Sequence, residues 1–227
     1  MAVKTPARVT QTLNAARVPG VVFWGDSIPY GVHNQTLAGP RERLYNLGQA
    51  AGAGGKFFFQ GTQSFAGNGG GLAADPFCQC FPGITLATLT TLTFQQIPFY
   101  PQVSIIWGGT NDAFAGDSAA TIAGNLSTEM DNAWAIRQWP WFQLLVCDVL
   151  KRYDDPAVDL VVQQYNALVP SVIASKAYAS SVRFVSVYNA VSQANYFSDG
   201  LHLLDAGSNQ LADAIWPQLE LAVGECR

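Results

Sequence analysis

The sequence predicts a three-layer α/β/α fold, one parallel sheet with helices on both faces, on three observations. Five short runs, at Val18–Trp24, Lys56–Gln60, Val103–Trp107, Trp139–Val149 and Val182–Val187, are rich in β-branched or aromatic residues and read as strands. The longer segments between them carry apolar residues at helical spacing, and strands alternating with helices build parallel sheets covered on both sides. Third, the first and third runs stop abruptly on small and polar residues, V-V-F-W-G-D-S and V-S-I-I-W-G-G-T-N-D. Polar side chains are thereby delivered to the carboxyl edge, where open α/β sheets place their ligands. A chain of 227 residues can form a single such domain, and no linker or internal repeat divides it.

Residues 1 to 17 are polar and Ala-rich and read as an N-terminal arm or short helix. After the first strand, Leu37, Leu44, Leu47 and Ala51 keep near-helical spacing. Gly39-Pro40 must break its start, so the helix proper begins near Pro40, a suitable first helical residue. Behind the second strand comes the longest irregular stretch, Gly61 to Phe81, with the run Gly69-Gly70-Gly71. A loop of that length in a compact domain is more often functional than idle. Ile84, Leu86, Leu89 and Leu92 then give a Thr-rich helical face, and Ile97 to Pro101 turns the chain back. From Asp117 to about Arg137 a helix buries Ala119, Ile122, Leu126, Met130, Ala133 and Trp134. Asp155 caps and Pro156 opens a further helix with Val158, Val161, Val162, Tyr165, Leu168 and Val169 at helical period. Pro170 is expected to kink or split it. A loop from Tyr188 to His202 follows the fifth strand, and the last helix, from Asp205, is expected to end at Pro217, leaving 217 to 227 as a tail.

Hydrophobic residues make up 49% and charged ones 12%, about half the usual charged share. Ser, Thr, Asn, Gln and Gly must therefore cover much of the surface. Net charge is −4, and the 12 Lys and Arg are scattered apart from Arg41 with Arg43 and Lys151 with Arg152. Without a concentrated basic face, nucleic acid is excluded as a partner. No window reaches the roughly 18 apolar residues of a membrane span, and Met1 to Thr10 lacks the apolar stretch of a signal peptide. The expectation is a soluble chain with no transmembrane segment, and the low charge also suits a secreted or extracellular protein. Cys147 lies in an apolar run and is expected as a buried thiol. Cys78-Gln79-Cys80 has the wrong spacing for a C-x-x-C redox or zinc pair, and neither of the two histidines lies near it. A bridge from Cys78 or Cys80 to Cys226 stays open, and no motif fixes an oligomeric state.

A serine hydroxyl is a weak nucleophile and needs a base within hydrogen-bond reach. Ser27, just beyond the first strand, is the candidate nucleophile, although Asp26 and Ser27 taken alone also read as a helix cap. His33, on the same loop, suits a surface or N-terminal helical role. His202, in S-D-G-L-H after the fifth strand, falls on the same edge as Ser27, and Asp199 on the same turn can hold its tautomer. Alone, D-x-x-H is a loop acid and a loop histidine; its place on that edge makes it a candidate. Asn111 emerges from the third strand beside the first and offers an uncharged amide to a developing oxyanion. Ser27's own N–H and a glycine N–H of the second loop complete a possible set. Asp26 and Asp112 are assigned to hydrogen bonds that shape their own turns. G-D-S-I-P-Y-G offers neither G-x-G-x-x-G nor G-x-x-x-x-G-K, which argues against a flavin or nucleotide module.

Gly25-Asp26-Ser27, a glycine in the second loop, Gly109-x-Asn111-Asp112 and Asp199-x-x-His202 resemble, in order and spacing, the four blocks of the SGNH (GDSL-type) hydrolases. The resemblance spans about residues 18 to 216. The second loop, F-F-F-Q-G-T-Q-S through F-P-G-I-T-L, is more specifically similar to the acetyl xylan esterase branch, the third family of carbohydrate esterases. The oxyanion glycine of that branch maps onto Gly83, with Gly67 as the alternative. Ile84 stands where the branch tends to have an aromatic residue, and Phe81-Pro82 replaces an acidic, His-containing lead-in; both departures bear on sugar specificity. The resemblance implies a flavodoxin-like sandwich with a five-stranded parallel sheet in order 2-1-3-4-5. It implies a serine esterase that hydrolyses short-chain acyl esters, acetyl groups on carbohydrates among them. Ser27, His202 and Asp199 would form the triad, and Ser27 N–H, Gly83 N–H and the Asn111 amide the oxyanion hole. No metal or organic cofactor is implied, and the partner is a small-molecule or carbohydrate ester. Alternatives are an acyltransferase or broader lipase/acylhydrolase of the same family, and a catalytically silent carbohydrate-binding domain.

Overall fold

The computed structural model describes residues 18–34, 39–64, 77–92 and 100–226. The first apolar run is strand β1 (Gly20–Gly25), every residue of it buried. On one side it pairs in parallel with β5 (Val103–Ile106), in the register Val21 with Val103 to Trp24 with Ile106. Beyond β5 lie β6 (Gln143–Cys147) and then β7 (Val182–Val185), also parallel.

The other side of β1 differs from the sequence expectation of one second strand. Strand β2 (Phe58–Gln60) covers only Gly20 to Val22, and β4 (Phe77–Cys80) continues beside Trp24 and Gly25. A two-residue strand, β3 (Gln63–Ser64), runs antiparallel to β4. Among the described residues six strands are thus parallel, and the order 2-1-3-4-5 survives with its first position shared by two short strands. The chain leaves β2 at Gly61, where a side chain is impossible because a Cβ would lie 2.0 Å from the Cys78 carbonyl oxygen. Phe77–Cys80, expected as loop, is a strand because Cys78 and Cys80 bury completely and Gln79 finds partners: its Oε1 accepts from Thr62 N and Oγ at 2.6 Å each.

Alternate strand residues feed two cores, the signature of a sheet buried on both faces. Val21, Phe23, Ile105, Leu145 and Val185 pack with Leu44 of α2 (Pro40–Ala50) and with Leu211, Ile215 and Leu219 of α7 (Asp205–Glu225). Val22, Trp24, Ile106, Leu144 and Val146 pack with Leu89 of α3 (Leu86–Leu92), Leu126 and Met130 of α5 (Ala119–Ala135) and Val162 and Val169 of α6 (Pro156–Ala174). Two four- or five-residue helices, α1 (Ser27–Tyr30) and α4 (Thr110–Phe114), follow β1 and β5 directly.

Helix α6 starts as its sequence demands, with Asp155 accepting from Ala157 N and Val158 N and Pro156 in the first turn. Neither interior proline ends its helix. Helix α6 is continuous through Pro170, and α7 runs through Pro217 to Glu225, so the expected tail is helix. A proline in a helix interior costs about 3 kcal/mol. Burial offsets it: Leu219, Ala222 and Val223, beyond Pro217, are fully enclosed, and each large apolar side chain contributes roughly 1.5–3 kcal/mol.

All four cysteines are free and buried, Cys147 as expected. The bridge to Cys226 does not form. Cys226 lies against the carbonyls of Gln102 and Trp141 at the amino ends of β5 and β6, whereas Cys80 pairs with Gly25 at the carboxyl end of β1. Among the described residues no helix is long and apolar enough to cross a membrane.

Candidate active site

The turn after β1 is built for close approach. A Cβ on Gly25 would lie 2.5 Å from the Pro29 ring and 3.3 Å from Trp107 Cβ, so the position admits only glycine. Asp26 caps α1, its Oδ1 accepting from Ile28 N at 2.9 Å, and Gly31 closes the turn in the left-handed region at φ 95°. Ser27 opens this short helix and remains 8% exposed.

On the other side of the edge, the loop after β7 returns along itself: Tyr196 bridges Leu203, and Phe197 N donates to His202 O at 2.8 Å. Asp199 Oδ1 accepts from the backbone N–H groups of Leu201 and His202, each at 2.9 Å. Asp199 Oδ2 lies 2.6 Å from His202 Nδ1, and His202 Nε2 lies 2.9 Å from Ser27 Oγ. Serine, histidine and aspartate expected from sequence therefore stand in one hydrogen-bonded line. Asn34 clasps the two loops, donating from Nδ2 to Leu203 O and accepting from Ser208 Oγ, both at 3.1 Å.

Burial raises the Asp199 carboxyl, but the His202 hydrogen bond and the two backbone N–H groups outweigh it and hold the group below the usual carboxylate range. Asp26 goes the other way. Complete burial dominates its single backbone bond, the nearby Asp112 charge adds to it, and the carboxyl is pushed up to about 7.

The second-loop and Asn111 elements meet at the carboxyl end of β1. Cys80 pairs with Gly25, and Phe81 N donates to Gly25 O at 2.8 Å, which brings the Pro82-Gly83 turn to the end of β1. Gly83 has φ 79°, and a Cβ built there would meet nothing within 4 Å. Asn111 Nδ2 donates to Ile84 O at 2.8 Å, fixing its amide against that turn, and an amide carries a second hydrogen for another acceptor. Gly67, the alternative donor, lies outside the described residues. Asp112 serves its own turn through its own backbone N–H and also reaches beyond it: its carboxylate oxygens share the Leu86 N–H, at 2.8 and 3.0 Å, tying α4 to the start of α3.

Two residues have roles at the site that their sequence positions do not reveal. Arg152, 3% exposed, donates to Thr110 O at 3.2 Å and grips Asp154 with Nε and Nη2. Its neighbour Tyr153 donates from N to Gly200 O at 3.0 Å, so the segment braces the Asn111 helix and the Asp199–His202 loop together. His33, expected in a surface role, has a side chain 38% exposed and also lies against the Asp199–His202 loop. It has φ 68°, the one left-handed non-glycine residue among the described residues; its ring stacks on Phe197 at 4.2 Å, and its Nε2 lies 3.7 Å from Asp199 Oδ2.

No protein-family model and no curated protein matches the sequence. Solved structures do match. A family 3 carbohydrate esterase of Clostridium thermocellum aligns at 24% identity over 88% of this chain and 94% of its own, with a TM-score of 0.74. A family 3 carbohydrate esterase of Talaromyces cellulolyticus aligns at 18% identity over 91% and 98%, TM-score 0.75. A G-D-S-L family lipolytic protein of Veillonella parvula aligns at 14% over 87% and 96%, TM-score 0.62. The chain therefore has the three-layer fold shared by the family 3 carbohydrate esterases and the G-D-S-L lipolytic proteins.

Proposed function

We propose that the protein is a carboxylic ester hydrolase that works through an acyl-enzyme on Ser27. The observation that carries this is the line Asp199 Oδ2, His202 Nδ1, His202 Nε2, Ser27 Oγ, with gaps of 2.6 and 2.9 Å. Asp199, held ionised, fixes the His202 proton on Nδ1 and leaves Nε2 as the acceptor. Ser27 Oγ attacks the ester carbonyl while its proton passes to His202 Nε2. The tetrahedral oxyanion accepts from Ser27 N–H, Gly83 N–H and the free Asn111 amide hydrogen. His202 returns the proton to the leaving alcohol, and water repeats the sequence on the acyl-enzyme.

Short acyl groups, acetyl on a carbohydrate foremost, are the proposed substrates. The fold's likeness to two carbohydrate esterases supports the carbohydrate part. Apart from the Gly-rich second loop, the sequence segments between elements are too short to supply a separate lid, which supports the short acyl chain. Ile84, in place of an aromatic residue beside Gly83, is the site feature that bears on which sugar is accepted.

An organophosphonate should label Ser27 alone, and Ser27→Ala should lower turnover by several orders of magnitude with the fold intact. Adduct on another serine in an active preparation overturns the mechanism. A panel of acetyl, butyryl and octanoyl esters alongside acetylated xylan tests the substrate: octanoyl esters outrunning acetyl esters in kcat/KM overturns the short-chain reading.

A further inference from the structure

We propose that His33, Asp199 and His202 form a binding site for one zinc-class divalent transition-metal ion, and that the ion switches hydrolysis off. One ligand atom from each residue lies within 4.8 Å of the others. Two imidazoles and a carboxylate are a donor set suited to zinc, whereas magnesium and calcium prefer all-oxygen sites. Bonds of about 2.0–2.2 Å in a tetrahedral site set neighbouring donors roughly 3.3–3.5 Å apart. The His33 Nε2 to Asp199 Oδ2 gap is already 3.7 Å, and the 2.6 Å gap to His202 Nδ1 opens by less than the length of a bond. The His33 and Asp199 side chains are 38% and 34% exposed, so an ion can enter and keep a water as its fourth ligand.

The three ligands belong to one stitched unit. Asp199 Oδ1 keeps its two backbone donors while Oδ2 turns to the ion. His33 is held at φ 68°, a conformation that non-glycine residues seldom adopt. Its ring lies 3° from parallel to Phe197, a residue of the same loop, and 4.9 Å from the His202 ring. Sequence spacing gives His33 no such task, and the ester mechanism leaves it unused.

Inhibition follows from proton placement. An ion on His202 Nδ1 displaces the proton shared with Asp199, and neutral imidazole retains it by carrying it on Nε2. Nε2 then donates to Ser27 Oγ and can no longer accept its proton. No net proton is gained or lost; the base is simply in the wrong tautomer.

Metal binding is independent of the esterase reading, and only the inhibition rests on it, so the two are measured separately. Calorimetric titration of the full chain with zinc chloride should show one ion per chain, and cobalt(II) should give the visible bands of a tetrahedral site. His33→Asn, whose side chain tolerates the left-handed backbone, should weaken zinc at least about tenfold. His33→Gly, at ease in that conformation, serves as a second variant, each with circular dichroism to establish folding. In ester assays normalised to each variant's metal-free rate, the inhibition curve should shift by the same factor, and a chelator should restore the rate. No zinc uptake by the native chain, or equal uptake by folded His33 variants, overturns the site. His33-dependent uptake without inhibition of an active preparation overturns the tautomer mechanism, and uptake in a preparation that hydrolyses no ester upholds the site while refuting the hydrolase reading.

Discussion

Asp26 and Asp199 are both carboxylates at the carboxyl edge of one sheet, and the protein pushes them in opposite directions. Asp26 sits in a dry turn, 1% exposed, with Oδ1 bonded to one backbone N–H and Oδ2 buried without a hydrogen bond; it rises to about 7. Asp199 is a third exposed and has an acceptor's full complement, two N–H groups on one oxygen and an imidazole on the other; it falls below the usual range. The difference teaches that burial alone does not make a carboxylate chemically useful here. The buried one shapes the turn that presents Ser27, and the wetter, better-bonded one carries the charge that orders His202.

The strongest way to break the comparison is to remove the Asp199 charge. Asp199→Asn should cost up to about 10⁴-fold in kcat, the loss seen when the corresponding aspartate of serine proteases becomes asparagine. Unchanged kcat in the folded variant would mean that Asp199 only shapes its loop, as Asp26 does.

Asn111→Ala probes the neighbouring uncharged donor. It should cost roughly 2.7–4 kcal/mol, mainly in kcat, since the oxyanion exists only in the transition state. Steady-state kinetics with the loss confined to KM would make Asn111 a ground-state binding residue instead.

Asp26 should reveal itself in stability. Its folded value of about 7 exceeds the ordinary 3.8, so its contribution is complete below about pH 4 and is lost as pH rises through about 7. Asp26→Asn keeps an oxygen for Ile28 N and cannot ionise. Between pH 5 and pH 8 the native protein should lose roughly 3 kcal/mol more unfolding free energy than the variant. Urea unfolding with equal pH dependence in both would show that Asp26 is not neutral in the fold.

The strands buried on both faces were plain in the sequence because such strands are nearly unbroken apolar runs, and the line Ser27, His202, Asp199 was legible because Ser27 follows β1 closely and Asp199 and His202 share one turn on the loop after β7. Strand β4 was hidden for the converse reason. F-C-Q-C places a polar amide at a buried position, and its oxygen is met by Thr62, 17 positions earlier in the chain. The reach of Asp112 beyond its own turn was hidden for a similar cause, since its partner Leu86 N lies 26 positions away where spacing does not reveal it. The prolines of α6 and α7 looked like stops because local backbone rules see the missing N–H and not the core that holds the next turn in place. For His33 and Arg152 no local signal existed. Their roles arise from loops that meet only in three dimensions, so no periodicity or motif marks them.

The Asn34 clasp has a consequence for how the molecule comes into being. Ser27 and His202 lie 175 positions apart, and the loops that carry them are joined through Leu203 O and the hydroxyl of Ser208 in the first turns of α7. During synthesis the serine turn, the five described parallel pairings and most of the helices can be in place while the base has not yet been made. Turnover should therefore appear in a single late event, when α7 docks against α2, rather than growing with the length of the nascent chain. In refolding, recovery of ester hydrolysis should lag behind recovery of helical signal, so activity reports closure of a contact that spans 175 positions and not the formation of the sheet.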